Sequence, residues 1–574
     1  RQYVNYTKTF AKKHNLNVMA GVNAEEEEYK YLYGTRNVMY DQEGYPELNM
    51  AGKDGQDLSW NHTSRASAGY FGRINYDYKG IYLLELNGRY DGSSRFPHTD
   101  QWAFFPSASI GYRFSEEAYF APLKHIVSNG KLRASFGEIG NEAVGDYMFE
   151  QLISQRLNNK STGYIYWIEN NNANANLLTM YNMPDLVSST LTWERIRTLN
   201  IGLDLGLLND ELTIGFDWFQ RENRDMLAPA QVLPNTLGAS APYENAGTLR
   251  TRGWELNLNW RHTFGDFDVY ANFNIGDSKT KVTKWDNDSK LLSTYYTGKT
   301  YGDIFGFETD RYFEEKDFTS QNADGSWNYA NGIASQAGLE SGNFHYGPGD
   351  VKFKDLDGNG KIDGGKGTAD DHGDLKVIGN SMPRYEYSFH LGGAWKGIDL
   401  DLYFQGVGKR EDWTTSSLNL PAMVHADVAI YSHQTSYNKV LWNSDYTAIT
   451  GYEVNQGNRY PRLYRGTNNS GGTVSGIANG CNNYYPQSRY LTDMSYLRLK
   501  NVTVGYTLPK EWTRKAYIEK ARIYFSGSNL FLLHKGNDLP VDPEISTGNG
   551  LTAGGWGRIA PITRTFSFGV QVTL

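Results

Sequence analysis

Residues 384–406 read RYEYSFHLGGAWKGIDLDLYFQG. Side chains on a strand point alternately to its two faces, so a strand with one apolar face shows a period of two. Tyr385, Tyr387, Phe389 and Leu391 fall in one phase, and Arg384, Glu386, Ser388 and His390 in the other. After Trp395-Lys396-Gly397 the pattern resumes, with Ile398, Leu400, Leu402 and Phe404 opposed by Asp399, Asp401, Tyr403 and Gln405. Two strands joined by a tight turn are predicted. A soluble sandwich alternates in the same way. What sets this chain apart is recurrence of the pattern over its whole length, with short turns on one side and very long connections on the other. That asymmetry is the signature of an outer-membrane barrel, with short turns periplasmic and long loops extracellular.

Working outward, residues 2–10 and 15–24 predict strands around a turn at 11–14. A polar segment follows, with the acidic run Glu25 to Glu28 and the Gly/Asp-rich stretch 51–56. Residues 65–78 and 81–91 form the next hairpin, whose tip Tyr78-Lys79-Gly80 repeats the aromatic-Lys-Gly order of Trp395-Lys396-Gly397. An interfacial aromatic beside a tight turn suits a short periplasmic connection. Further strands are expected at 104–114, 131–138, 192–207, 211–220, 251–261, 266–275, 496–508, 522–528 and 563–574. In 496–508 the apolar phase shifts from Leu497 and Leu499 to Val502, Val504 and Tyr506, and a bulge near Lys500-Asn501 explains the shift. Residues 277–382 form a long extracellular insertion, far beyond ordinary loop lengths.

The count comes to about fifteen strands, and bacterial barrels usually have an even number. Working back from a periplasmic C-terminus, the first strand starts outside the cell, so an odd count implies strands upstream. About seven more give a barrel of about 22 strands, the size whose lumen is plugged. The fold class is therefore all-β, a large antiparallel transmembrane β-barrel. Residues 1–574 are then its C-terminal part, with the upstream strands outside this chain.

Composition agrees. Only 39% of the 574 residues are hydrophobic, and no run approaches the ~18 apolar residues of a membrane helix. A barrel needs no such run, since only alternate residues face lipid. Aromatics make up 14%, including 42 Tyr and 14 Trp, which suits interfacial girdles or sugar-stacking loops. The net charge of −8 argues against a nucleic-acid partner. Cys481 is the single cysteine, so no disulfide forms within the chain. The opening RQYVNY lacks the apolar stretch of a signal peptide.

The sharpest chemical motif is DLDGNGKID, residues 355–363. It matches the first nine positions of an EF-hand-type loop: Asp355, Asp357 and Asn359 as side-chain ligands, Gly360 at the sharp turn, the Lys361 carbonyl, then Ile362 and Asp363. Oxygen ligands on alternate residues wrap one hard cation, Ca²⁺ before Mg²⁺, in a structural role. Lys366 stands where the usual bidentate Glu would be, leaving Asp370, Asp371 or Asp374 as substitutes. The alternative is a Gly/Asp-rich turn without metal.

Other motifs are weaker. The histidines show no zinc spacing, and Gly364-Gly365-Lys366-Gly367-Thr368 lacks the ending and context of a phosphate loop. Asp399 and Asp401 resemble a glycosidase pair, yet on alternating strand positions they fit the polar lining of a lumen better. No catalytic residue is expected. A secreted soluble protein that binds or cleaves glycans is the alternative of a different class, with these carboxylates as its acids. Tyr164, Tyr166, Trp167, Trp327, Tyr329, Tyr484 and Tyr485 can stack on sugars, pack the loops or contact a partner.

Several runs resemble the SusC/RagA family of TonB-dependent outer-membrane transporters. They are FGRINYDY (71–78), YDGSSRF (90–96), FPSASIGYRF (105–114), LRASFGEIGN (132–141), WERIRTLNIGLDLGL (193–207), GPGDVKFKDLDGNGKID (347–363), SYLRLKNVTVGYTLP (495–509), SGSNLF (526–531), Asp542-Pro543-Glu544 and RTFSFGVQVTL (564–574). The resemblance implies a plugged barrel in the lipid bilayer of a bacterial outer membrane of the Bacteroidetes type. It implies energised import of oligosaccharides, or peptides in some members, with TonB engaging the missing N-terminal part. A SusD-like surface lipoprotein lid, and a dimer of the transporter–lid pair, are implied as partners. The family usually ends on an aromatic, and Leu574 departs from that.

Overall fold

The computed structural model describes all residues except 37–46, 53–56, 152, 154, 158–178, 182–183, 185, 189–190, 230–241, 342–343, 414–417, 422–429, 464–472, 475–476, 479–481 and 545–561. Fifteen strands make one antiparallel sheet whose order follows the chain. They are β1 Gln2–Phe10, β2 His14–Thr35, β3 Asp57–Tyr78, β4 Tyr82–Ser93 and β5 Trp102–Tyr112. Then come β6 Val127–Asn141, β7 Glu194–Leu207, β8 Leu212–Pro229, β9 Tyr243–Phe264 and β10 Phe267–Lys284. The last are β11 Arg384–Trp395, β12 Ile398–Lys409, β13 Tyr496–Thr507, β14 Lys520–Lys535 and β15 Thr565–Thr573. Among the described residues no helix is long and apolar enough to cross a membrane.

Register carries the alternation across the sheet. Ile214, Leu258, Phe273, Phe389, Phe404 and Leu499 are successive neighbours on one face. One step along, Asn257, Asn274, Ser388, Gln405 and Arg498 are neighbours on the other. Leu400, Val504, Phe525 and Phe568 form a further apolar row and are 42%, 44%, 44% and 73% exposed. An apolar face this broad, with none of the described residues over it, requires an apolar solvent.

The hairpin tips explain how register is set. Lys79 and Gly80 have φ of 55° and 67°, and Lys396 and Gly397 have 46° and 90°. Two successive positive φ values make the type I′ turn, whose twist matches that of the flanking strands. Beside these tips lie aromatic side chains: Tyr78, Tyr82 and Tyr112 stack at 6.3 and 5.2 Å between centroids. The bulge expected in β13 is present. Asn501 faces Tyr403 and Leu499 faces Phe404, which leaves Lys500 without a partner in the ladder.

Several strands outrun the sequence reading, and they do so at the long-loop end. β2 and β3 pair without interruption from His14–Tyr78 to Thr35–Asp57, so the acidic run Glu25 to Glu28 lies on a strand. Arg65 pairs with Glu27, and Lys30 and His62 approach Glu28 at 2.7 and 2.8 Å. β10 likewise continues to Lys284 before the long connection begins. Beyond an apolar solvent a strand keeps its ladder without an apolar phase, so the period of two no longer marks it.

Candidate functional site

The two long connections, 285–383 and 410–495, fold on each other above the sheet. Phe307, Tyr312, Val351 and Phe353 from the first pack with Tyr460, Tyr484 and Tyr490 from the second in one buried cluster. Phe313, Phe318, Phe344 and Tyr346 form a second cluster within the first connection. Polar groups fasten the seam. Tyr312 donates to the Arg459 carbonyl at 2.7 Å, and Arg489 sits over its ring at 4.3 Å. Asn483 donates to Asp350 and accepts from Val351 N–H, both at 2.8 Å. Burial pushes the Tyr490 phenol well above its ordinary value, so it stays neutral. Burial alone would raise the Asp317 carboxyl too. Hydrogen bonds from Arg311, at 2.6 and 2.7 Å, and from Glu314 N–H hold it below the usual range instead.

This core claims four of the aromatics singled out above. Tyr484 is 1% exposed, and Trp327, Tyr329 and Tyr485 pack against the two clusters. Their role is to hold the connections together. Tyr164, Tyr166 and Trp167 lie outside the described residues, as does Cys481.

The Asp-rich motif hangs from the same core. Ile362 is 1% exposed and anchors the loop in the larger cluster. Gly358 and Gly360 have φ of 75° and 80°, a conformation natural to glycine, and no atom crowds either position. Asp355 accepts from Gly358 and Gly360 N–H at 2.7 and 2.9 Å, and Asp357 from Asn359 N–H at 3.0 Å. Asn359 accepts from Lys361 N–H at 2.8 Å, and Asp363 from Gly365 N–H at 2.8 Å. Carboxylate oxygens of Asp355, Asp357 and Asp374 lie within 4.8 Å of one another. Asp374 is fully buried and accepts from Leu356 and Asp363 N–H at 2.6 and 3.0 Å. Of the three substitutes named for the missing Glu, it alone joins the group. Asp370 pairs with Lys290 at 2.9 Å and Asp371 lies 3.7 Å from Lys366.

On the polar face of the sheet, several charges are paired. Arg133 spans Asp204 at 3.0 Å and Asp217 at 2.6 Å. Asp399 accepts from Arg522 Nε at 2.9 Å, and Asp401 pairs with His390 at 2.7 Å and with the Tyr270 hydroxyl. Each aspartate of the suspected glycosidase pair therefore has its own partners, as a lining residue would. Asp542 and Glu544 of the Asp-Pro-Glu run reach back to Arg498, which is 4% exposed and lies 3.0 Å from Glu544. Sequence reading missed the buried Asp350 and a row of cations above the apolar face. The second had a signal: Arg250 and Arg252 continue the phase of Trp254 and Leu256, where apolar residues are due.

The model of the TonB-dependent receptor-like β-barrel matches residues 1–364. TonB-dependent receptor P3 of Formosa agariphila is 27% identical over 99% of this chain and 51% of its own length. TonB-dependent receptor SusC of Bacteroides thetaiotaomicron is 24% identical over 95% of this chain and 47% of its own. The structure of the RagAB peptide transporter superposes with a TM-score of 0.70 at 18% identity, covering 99% of this chain and 54% of that one. The chain thus spans about half the length of these relatives, which are receptors and transporters rather than enzymes. An apolar face, an opposite polar face and one-sided long connections are what such a barrel needs, and the chain belongs to the TonB-dependent receptor-like β-barrel family.

Proposed function

We propose that this chain is the barrel part of an outer-membrane importer of the SusC/RagA type, driven through TonB and lidded by a SusD-like surface lipoprotein. The observation that carries the reading is the combination of an exposed apolar face with an opposite face of polar and charged residues, several of them paired. The folded connections are the surface that meets the lid. The imported solute is an oligosaccharide or a peptide. Loop aromatics favoured the first, and the core of the connections has claimed four of them.

The decisive experiment is purification of the full-length protein from detergent-solubilised outer membranes, with mass spectrometry of what accompanies it. A stoichiometric lipoprotein is expected. Uptake of labelled oligosaccharide and peptide pools by cells with and without the gene then separates the substrates. Solubility without detergent and no co-purifying lipoprotein would overturn the reading.

The same reading includes a structural Ca²⁺, with Mg²⁺ as the alternative. Three carboxylates within 4.8 Å form an all-oxygen donor set suited to a hard cation. Asp355, Asp357 and Asp374 would hold it, with Asn359, the Lys361 carbonyl and Asp363 completing the loop. A bound ion braces the connection and supplies no catalysis.

A further inference from the structure

Above the apolar face, on strands β6 to β10, the same outward phase turns basic. Glu138, Arg197, Glu222, Arg250 and Lys281 are successive neighbours in register. Each carboxylate is shared by two arginines. Glu138 meets Arg195 and Arg197 at 2.6 and 2.5 Å, and Glu222 meets Arg224 and Arg250 at 2.7 and 2.6 Å. Both carboxylates are nearly buried, at 4% and 7% exposure, so the arginines form the accessible layer. One step toward the membrane, Arg252 faces Lys279, and Arg252 donates only to the neutral Gln220, at 2.8 Å. Lys279 and Lys281 are exposed and have no anionic partner among the described residues. With Asp277, which shares the phase of Lys279 and pairs with Arg384, eight cations stand against three carboxylates, on a chain whose net charge is −8.

Height decides what this surface meets. Phe264 and Phe267 flank the short turn at the far end, and Trp218 and Trp254 face each other just below Arg252. About ten residues at ~3.3 Å each, on strands tilted by ~40°, separate Trp254 from Phe264 by a height of ~25 Å. That is the height of the apolar band of an outer-membrane barrel. The cations therefore lie at headgroup level, in the phase that carries the apolar band below them.

We propose that this outward surface binds the phosphorylated headgroup of a glycolipid in the leaflet next to the long connections. Arg252, Lys279 and Lys281 are the phosphate ligands, and the Glu222 and Glu138 clusters hold the surrounding arginines in place. The inference rests on the membrane reading of the apolar face and is independent of what is imported.

The test titrates full-length protein in detergent with lipid A bearing both phosphates, and with the same lipid after dephosphorylation, by native mass spectrometry. Replacing Arg252, Lys279 and Lys281 together by serine is expected to weaken the phosphorylated lipid by roughly ten-fold or more. Lys279→Arg with Lys281→Arg is expected to retain it. Equal binding of wild type and serine variant, or of phosphorylated and dephosphorylated lipid, overturns the proposal. So does inorganic phosphate that matches the lipid's affinity, or a serine variant that changes oligomeric state and not lipid binding. Heat-modifiable migration on gels confirms that each variant keeps its barrel, and Lys281→Ser alone serves if the triple variant does not. Detergent dependence reports the membrane reading separately, so the two can fail apart.

Discussion

Asp350 and Arg462 meet through two contacts, 2.8 Å from Nε to Oδ1 and 2.6 Å from Nη2 to Oδ2, inside the seam between the two long connections. Asp350 is fully buried. Asp350→Asn keeps the shape and leaves a buried guanidinium uncompensated, at a cost of about 3–5 kcal/mol. The connections should then exchange backbone hydrogens and yield to protease faster, while the sheet keeps its heat-modifiable migration. Unchanged protection of both connections would show that apolar packing alone closes the seam.

Asp412 sits 4% exposed near Arg410, 3.6 Å away, and burial pushes its carboxyl up to about 6. The unfolded value is about 3.9. Between these values the folded form binds the proton better, so stability falls as pH rises through the window and stays lowered above it. Asp412→Asn should therefore stabilise the connections at pH 7 and change little at pH 3.5. Protease half-lives at the two pH values check this, and a benefit confined to the acid side would refute the sign.

Gly397 has φ of 90°, and an added Cβ would come 2.8 Å from the Thr507 carbonyl oxygen. A left-handed conformation costs a side-chain-bearing residue about 1–2 kcal/mol, before the clash is counted. Gly397→Val should slow conversion of the unfolded to the folded gel form, whereas Lys396→Asn, which tolerates positive φ, should not. Equal folding rates for both variants would remove the turn from any part in setting register.

If the Asp355 loop holds Ca²⁺, terbium should bind the purified protein and luminesce by transfer from nearby aromatic residues. Asp355→Asn or Asp374→Asn should abolish the signal, and chelation should increase cleavage within residues 355–374 of the wild type. Asp370→Asn is the control and should leave terbium bound. Loss of the signal in that control would move the site away from Asp374.

The sheet was legible because membrane and lumen impose opposite demands on alternate residues, and Tyr387 to Phe404 answer them plainly. Strand ends were not: Glu25 to Thr35 and Ser278 to Lys284 lie where no apolar phase is required. The core of the connections had no period to betray it, since Tyr312, Phe344, Tyr460 and Tyr484 come together from irregular segments. The Asp motif was visible through its spacing, whereas Asp374 joins it only because the chain folds back past Gly373. Arg252 and Lys279 were hidden by the assumption that the apolar phase simply ends.

Every strand of the large sheet lies beside its predecessor and successor in the chain. Pairing is therefore local wherever the turn is short, and contact order stays low for a sheet of fifteen strands. The connections of roughly a hundred residues add closure entropy that grows only logarithmically, by about 0.6 kcal/mol per doubling. Growth by successive hairpins, each nucleated at its own tight tip, follows from this order. The long connections can then lengthen and diversify during evolution at little expense to assembly of the wall that carries them.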